Sequence, residues 1–285
     1  MSKSFSYTVH GLVASLTKGF KAFKVTEVAK PNCKNKALAN LISEEYLNPS
    51  VMTDKPRKLK IGVFSGSSGE AQMEKWIESP TKNVYEVDSS DSSICMASVY
   101  TFNSKWEKKL GESATPLKGK YRQFGVGHAK QHSNGAVTVP MSDGSTLMFW
   151  YARATNGFDL WLKAHEVHDA IVTNTKNRVL TNVEVYLPYV DLHQEGSYGL
   201  DNWKFGSGCF VDYAKYENWL ELNSNGAKAK SVTRARIFKG IGPKREKPKK
   251  VVFDKPFAVA VFEKGCAYPT FVAKCDLDTW VKVKK

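Results

Sequence analysis

The chain has 285 residues, of which 42% are hydrophobic and 25% charged, and its formal net charge is +14. A chain of this length buries roughly 70–75% of its unfolded surface, so a core forms without covalent staples, and the composition is that of a globular protein rather than a disordered or fibrous one. No run of 18 apolar residues is present, which argues against a helical membrane span, while the basic balance points to polyanions or acidic protein faces as partners.

The first twenty residues, MSKSFSYTVHGLVASLTKGF, make a poor signal peptide. Their apolar run is broken by His10, Gly11 and Ser15, and no small-residue cleavage site follows. Further on, Ala37 to Ile42 with Glu44 and Glu45 reads as a helix, and Asn48 fails the N-x-[ST] test because Pro49 follows it. Lys55, Arg57, Lys58 and Lys60 form a first basic cluster. Gly66-Ser67-Ser68-Gly69 lacks the Lys-Ser/Thr of a phosphate loop and reads as a turn. The helix predicted from Gly69 to Ile77 puts Met73, Trp76 and Ile77 on one face and stops before Pro80. Ile94 to Phe102 is a nearly continuous apolar run, the pattern of a strand covered on both faces. From Val137 onward AVTVPM, STLMFWYA and DLWLKA read as extended segments separated by Ser-Asp-Gly and Asn-Gly turns. VEVYLPYVDL (183–192) carries Pro188, which marks an edge or the end of a strand. NWLELN (218–223), VVFDKPFAVAVFE (251–263) and PTFVAKC (269–275) complete the set. Helices first and many strands afterwards predict an α+β fold, taken as a single domain over 1–285.

Catalytic and metal motifs are weak. His165-Glu166-Val167-His168-Asp169 lacks the i, i+4 spacing of HExxH. The five cysteines (Cys33, Cys95, Cys209, Cys266, Cys275) are odd in number and scattered, with no CxxC pair. No serine or cysteine occupies a GxSxG elbow. The expectation is a protein that is not an enzyme and uses neither metal nor cofactor. An enzyme on a mixed sheet would need a pocket pairing a nucleophile with His128, His132, His165 or His168. The missing sequon, the poor leader and the unpatterned cysteines together predict a cytoplasmic protein, with secretion by a non-standard route as the alternative; a monomer is expected.

Residues 223–241 are the informative part. With period two, Ala227, Ala229, Ser231, Thr233, Ala235 and Ile237 fall on one face; Lys228, Lys230, Val232, Arg234, Arg236 and Phe238 fall on the other. Such a segment suits a strand with its small face inward, a mobile loop, or an ordinary amphipathic edge strand guarded by cations.

The order of motifs resembles the serpin family. Met73-Glu74-Lys75-Trp76-Ile77-Glu78 with Thr81-Lys82-Asn83 is similar to that family's Trp-Val-Glu and Thr-Asn-Gly pattern, and Ile94 to Trp106 resembles its third central strand. Val137 to Met141 resembles the Val-x-Val-Pro-Met element, and Val185 to Tyr189 the Leu-Pro-Lys-Phe strand. Leu220 to Gly226 resembles the strand that launches the reactive loop. Asp254-Lys255-Pro256-Phe257 and Phe271 to Lys274 are similar to the C-terminal signatures.

The resemblance implies a serpin-like protease inhibitor with large, mostly antiparallel sheets, N-terminal helices and a reactive-centre loop over about 224–250. The hinge would be Gly226, Ala227, Ala229, Ser231, Thr233, Ala235 and Ile237. Such a loop is cut by a serine or cysteine protease and then inserts into the central sheet, trapping the acyl-enzyme. Phe238, Lys239, Gly240 and Ile241 flank the implied scissile bond. Lys239 implies a trypsin-like target, and Phe238 a chymotrypsin-like preference. The alternative is a non-inhibitory interaction protein. It would use the basic stretch Lys244, Arg245, Lys247, Lys249 and Lys250 to bind an acidic protein, a glycosaminoglycan or nucleic acid. Departures include Ser224-Asn225 in place of the family's acidic pair, which implies loss of a latching salt bridge. Ser98 replaces the usual asparagine. The basic stretch is longer than usual, the Phe-x-Ser-Pro-x-Ser-Ile helix start is missing, and the shortened, leaderless form resembles viral members.

Overall fold

The computed structural model describes residues 3–28, 30–48, 56–80, 82–88, 93–173, 178–205, 209–229 and 249–283. In chain order the elements are β1 (Phe5–Tyr7), α1 (His10–Ala22), α2 (Lys36–Leu47), β2 (Leu59–Ser65), α3 (Gly69–Glu78), β3 (Val84–Glu86), β4 (Ile94–Tyr100), β5 (Phe102–Lys105) and β6 (Lys109–Glu112). They continue with β7 (Gln123–His132), β8 (Val137–Pro140), β9 (Thr146–Trp150), α4 (Gly157–Thr173), β10 (Val179–Pro188), β11 (Val190–Ser197), β12 (Lys204–Phe205) and β13 (Cys209–Phe210). The last are β14 (Lys215–Asn223), β15 (Gly226–Ala229), β16 (Lys249–Val252), β17 (Phe257–Phe262) and β18 (Phe271–Cys275). The architecture is α+β, as the sequence predicts. The chain divides into two compact units: Met1–Ser6 with Thr101–His193 and Asn218–Lys285, and Tyr7–Tyr100 with Gln194–Glu217.

The larger unit holds most of a sheet ordered β1-β18-β17-β9-β8-β7-β10-β16, with β6 on β7. Its centre is β17, Phe-Ala-Val-Ala-Val-Phe, laddered antiparallel to β18 on one side and β9 on the other. All six side chains are buried, the continuous apolar run of a strand covered on both faces. Pro188 ends β10 rather than marking an edge, since β10 lies between β7 and β16.

DLWLKA is not a strand; it lies in helix α4. Asn156 caps the helix, its Oδ1 accepting the Asp159 amide at 2.9 Å. An extended chain would put Leu160 and Leu162 on one face and Trp161 on the other. Instead Leu160, Trp161 and Ala164 are buried together, Leu162 is 39% exposed, and the Trp161 indole donates to the Pro269 carbonyl at 2.8 Å.

In the smaller unit β2 pairs parallel with β3 and antiparallel with β4. Helix α1 lies on β4 so closely that a Cβ at Gly19 would stand 2.2 Å from the Met96 Sδ, and one at Gly11 2.3 Å from the Ser98 Oγ. Two further expectations need correction. β4 is half-buried along its whole length rather than covered on both faces. Of the three side chains expected on one face of α3 only Met73 is buried; Ile77 is exposed and Trp76 half-buried, its indole turned to donate to the Lys82 carbonyl at 3.1 Å. Gly66 to Ser68 is the turn from β2 into α3, with Gly66 at φ +80°. Tyr7, Tyr198 and Tyr216 pack edge-on with ring centroids 5.0–5.6 Å apart.

Candidate functional site

Within the larger unit, β14 alternates so that Asn218, Leu220 and Leu222 are buried while Trp219 is 37% exposed, its ring stacked on His193. The strand ends in a turn that asparagine chemistry builds. Asn223 Oδ1 accepts the amides of Asn225 and Gly226 at 2.8 and 3.2 Å, and the Asn223 carbonyl accepts the Trp106 indole proton at 2.8 Å.

The chain then returns as β15, antiparallel to β14 (Leu222 opposite Ala227) and also antiparallel to β5 (Ser104 opposite Ala227). The four residues Gly226–Ala229 therefore form a strand between two others. Ala227 is fully buried there. At Gly226 a Cβ would stand 2.2 Å from the Ser104 carbonyl oxygen, so only glycine fits without moving backbone. Lys228 points outward, its Nζ 3.6 Å from a Glu221 carboxylate oxygen; both side chains are half-exposed, so the pair adds little.

Ser224-Asn225 carries no acidic latch, yet the turn is held: Lys109 Nζ donates to Asn225 Oδ1 at 3.5 Å, a marginal contact, and Trp106 supplies the better one. Beside the turn lies an open hollow of about 400 Å3 lined by residues that include Arg122, Tyr189, Asp191, Glu221 and Ser224. Arg122 makes a bidentate pair with Glu112 at 2.8 and 3.0 Å, which lowers the Glu112 carboxyl below its ordinary value, and it lies 4.2 Å from the Tyr189 ring centre.

Of the residues singled out by sequence, Gly226, Ala227 and Ala229 lie in β15. Lys249 and Lys250 lie in β16, the outermost strand of its sheet, and both are exposed. Lys250 also sits 5.5 Å from the Tyr186 ring centre. Ser231, Thr233, Ala235, Ile237, Phe238, Lys239, Gly240, Ile241, Lys244, Arg245 and Lys247 fall outside the described residues. Trp106, Asn223 and Lys109 matter at the turn through contacts that spacing along the chain does not reveal.

The four histidines are engaged in packing. His128 Nδ1 is 3.8 Å from a Glu107 carboxylate oxygen, and buried His132 shares a 2.9 Å hydrogen bond with Thr138. His165 stacks on Tyr268 and His168 on Phe262. All five cysteines are unbridged thiols, and burial pushes the Cys275 thiol far up. Two polar atoms near β15 are buried without a partner: the Ser104 hydroxyl on β5 and the Asn218 amide nitrogen on β14.

No family profile matches the chain. An alpha-1-antitrypsin-like protein of Tamias sibiricus is 25% identical over 249 residues, 71% of this chain and 56% of that protein. The chain thus spans about half the length of the curated relative it matches. Uncleaved ovalbumin superposes with a TM-score of 0.56 at 10% identity, covering 96% of this chain and 93% of ovalbumin. Serpin48 of the insect Tenebrio molitor gives 0.55 at 10% identity over 96% and 92% of the two chains. The thermophilic serpin tengpin in its native state gives 0.55 at 13% identity over 96% and 88%. These structural likenesses establish a shared architecture.

Proposed function

We propose that this chain, a member of the serpin family by its fold and its antitrypsin-like relative, acts on a target protease as bait and trap rather than as a catalyst. The observation that carries the reading is β15. Its four residues already ladder between β14 and β5, antiparallel to both, with Ala227 inward and Lys228 outward. A segment that continued from there with the same alternation would bring Ala229, Ser231, Thr233, Ala235 and Ile237 to the inner face, side chains small enough to enter a packed sheet. A protease cutting after Lys239 or Gly240 would free that segment to lengthen β15, and a trypsin-like enzyme matches Lys239. Five unbridged thiols suit action in a reducing compartment.

The test is to incubate the protein with trypsin-like serine proteases and to compare thermal unfolding before and after loop cleavage. A complex that survives SDS, and a midpoint that rises on cleavage, support the reading. Clean turnover of the chain with no rise in midpoint overturns it.

A second reading has its own observation, the exposed Lys249 and Lys250 on the outermost strand β16 in a chain of net charge +14. It is a docking role toward a polyanion or an acidic protein. Its mark is salt-sensitive binding to heparin or nucleic acid that disappears when Lys244, Arg245, Lys247, Lys249 and Lys250 are neutralised together.

A further inference from the structure

We infer that Asn156, the residue that caps helix α4, is a modification site: it deamidates through a succinimide to aspartate and isoaspartate, ahead of the other Asn-Gly steps. Three such steps occur, Asn134-Gly135, Asn156-Gly157 and Asn225-Gly226. Ring closure at any of them uses the glycine's backbone nitrogen, which attacks the asparagine's side-chain carbon. A nitrogen whose proton is committed to a hydrogen bond must break that bond before it can react.

At two of the steps the nitrogen is committed. The Gly135 amide donates to the His132 carbonyl at 2.9 Å. The Gly226 amide donates to Asn223 Oδ1 at 3.2 Å, and Gly226 is fixed besides as the first residue of β15. Gly157 differs. It opens α4, where the helix itself offers no acceptor, and its amide has no hydrogen-bond partner among the described residues. The side chain under attack is also better placed. Asn156 Oδ1 accepts the Asp159 amide at 2.9 Å, at the positive end of a 17-residue helix. Negative charge that develops on this oxygen as the ring closes meets a donor already aimed at it.

In that step the Gly157 nitrogen gives its proton to solvent and bonds to Asn156 Cγ, and Nδ2 leaves as ammonia. Water then opens the succinimide at either carbonyl, giving aspartate or isoaspartate. No oxidant, reductant or cofactor takes part. Asn156 Nδ2 now donates to Asp159 Oδ2, and an aspartate turns that contact into a repulsion while keeping an oxygen at the cap. Isoaspartate adds a carbon to the main chain and carries the acceptor away from the Asp159 amide, so the first turn of α4 loses its cap.

The experiment holds the folded protein in mildly alkaline buffer and follows the three asparagines by tandem mass spectrometry with an isoaspartate-specific label. The urea-denatured chain, in which all three glycine amides are free, is the reference. Asn156 is expected to react in the folded protein within about a factor of two of its denatured rate, with Asn134 and Asn225 slowed about fivefold or more. Asn134 or Asn225 reacting as fast as Asn156, or Asn156 slowed as much as they are, overturns the inference. Gly157→Ala crowds the attacking nitrogen and is expected to remove the isoaspartate signal at 156 while leaving the other two unchanged. A signal at 156 that survives this substitution overturns it as well.

Discussion

Strands β17 and β15 are both inner strands of sheets in the same unit, and they are built on opposite terms. β17 is six apolar residues, all buried, with Ala258 to Val261 paired on both sides. β15 is four residues that begin with a glycine no larger residue can replace, carry a lysine to solvent, and lie beside two buried polar atoms without partners. The first is closed: its packing is complete and has nothing further to gain. The second is flanked by unmet hydrogen-bonding capacity: the Ser104 hydroxyl opposite Ala227, and the Asn218 amide farther along β14. A fold that keeps its completed packing in one sheet and its incomplete bonding in another can change the second without dismantling the first.

The sharpest way to break the contrast is to damage the closed strand. Phe257 is 1% exposed between Phe149, Phe253 and Trp280, and Phe257→Ala is expected to cost about 3–5 kcal/mol, read as a large fall in the denaturant midpoint. An equal loss from a change confined to β15 would contradict the division drawn here.

Gly226→Val comes next. Its side chain collides with the Ser104 carbonyl, so β15 should leave its place while the rest of the unit stays folded. Hydrogen exchange of the β15 and β5 amides should speed up by an order of magnitude or more, with a much smaller shift in global unfolding than Phe257→Ala gives.

A pH titration probes a buried group on the closed side. Burial, with Lys130 adding to it, holds the His132 imidazole below its ordinary value, so the folded state favours the neutral ring. That contribution is complete above the unfolded value of about 6.5 and is lost as the pH falls below it toward the lowered folded value. His132→Gln should flatten the fall in stability between pH 7 and 5.

The smallest effect is expected for Lys228→Ala. The half-exposed pair with Glu221 contributes on the order of 0.5 kcal/mol or less, and that difference should vanish at high salt.

These two strands were also unequally legible. The apolar runs of β17 and β18 and the Val-Thr-Val-Pro of β8 state their strands outright, because burial on both faces leaves few alternatives to continuous apolar residues. DLWLKA misled because Asn156-Gly157 resembles a turn when it is in fact the start of a helix, and because six residues fit either period. At the loop base the alternation was readable at Ala227 and Lys228. The support for the turn was not: Trp106 reaches Asn223 across 117 positions and Lys109 reaches Asn225 across 116. Ser104 and Asn218 gave no sign at all, since an unmet hydrogen bond is a property of surroundings rather than of residue type.

The close seat of α1 on β4 carries a consequence for chemical ageing. The sulfur of Met96 fills the space left by the missing side chain of Gly19, and Met96 is only half-buried, whereas Met141 and Met148 in the larger unit are 3% and 0% exposed. Peroxide should therefore oxidise Met96 ahead of those two. The added oxygen brings bulk and polarity to a contact sized for a bare helix backbone. Mild oxidation should loosen α1 from β4 while the large sheet still unfolds as before, a graded loss of order that peptide mapping and exchange data would record residue by residue.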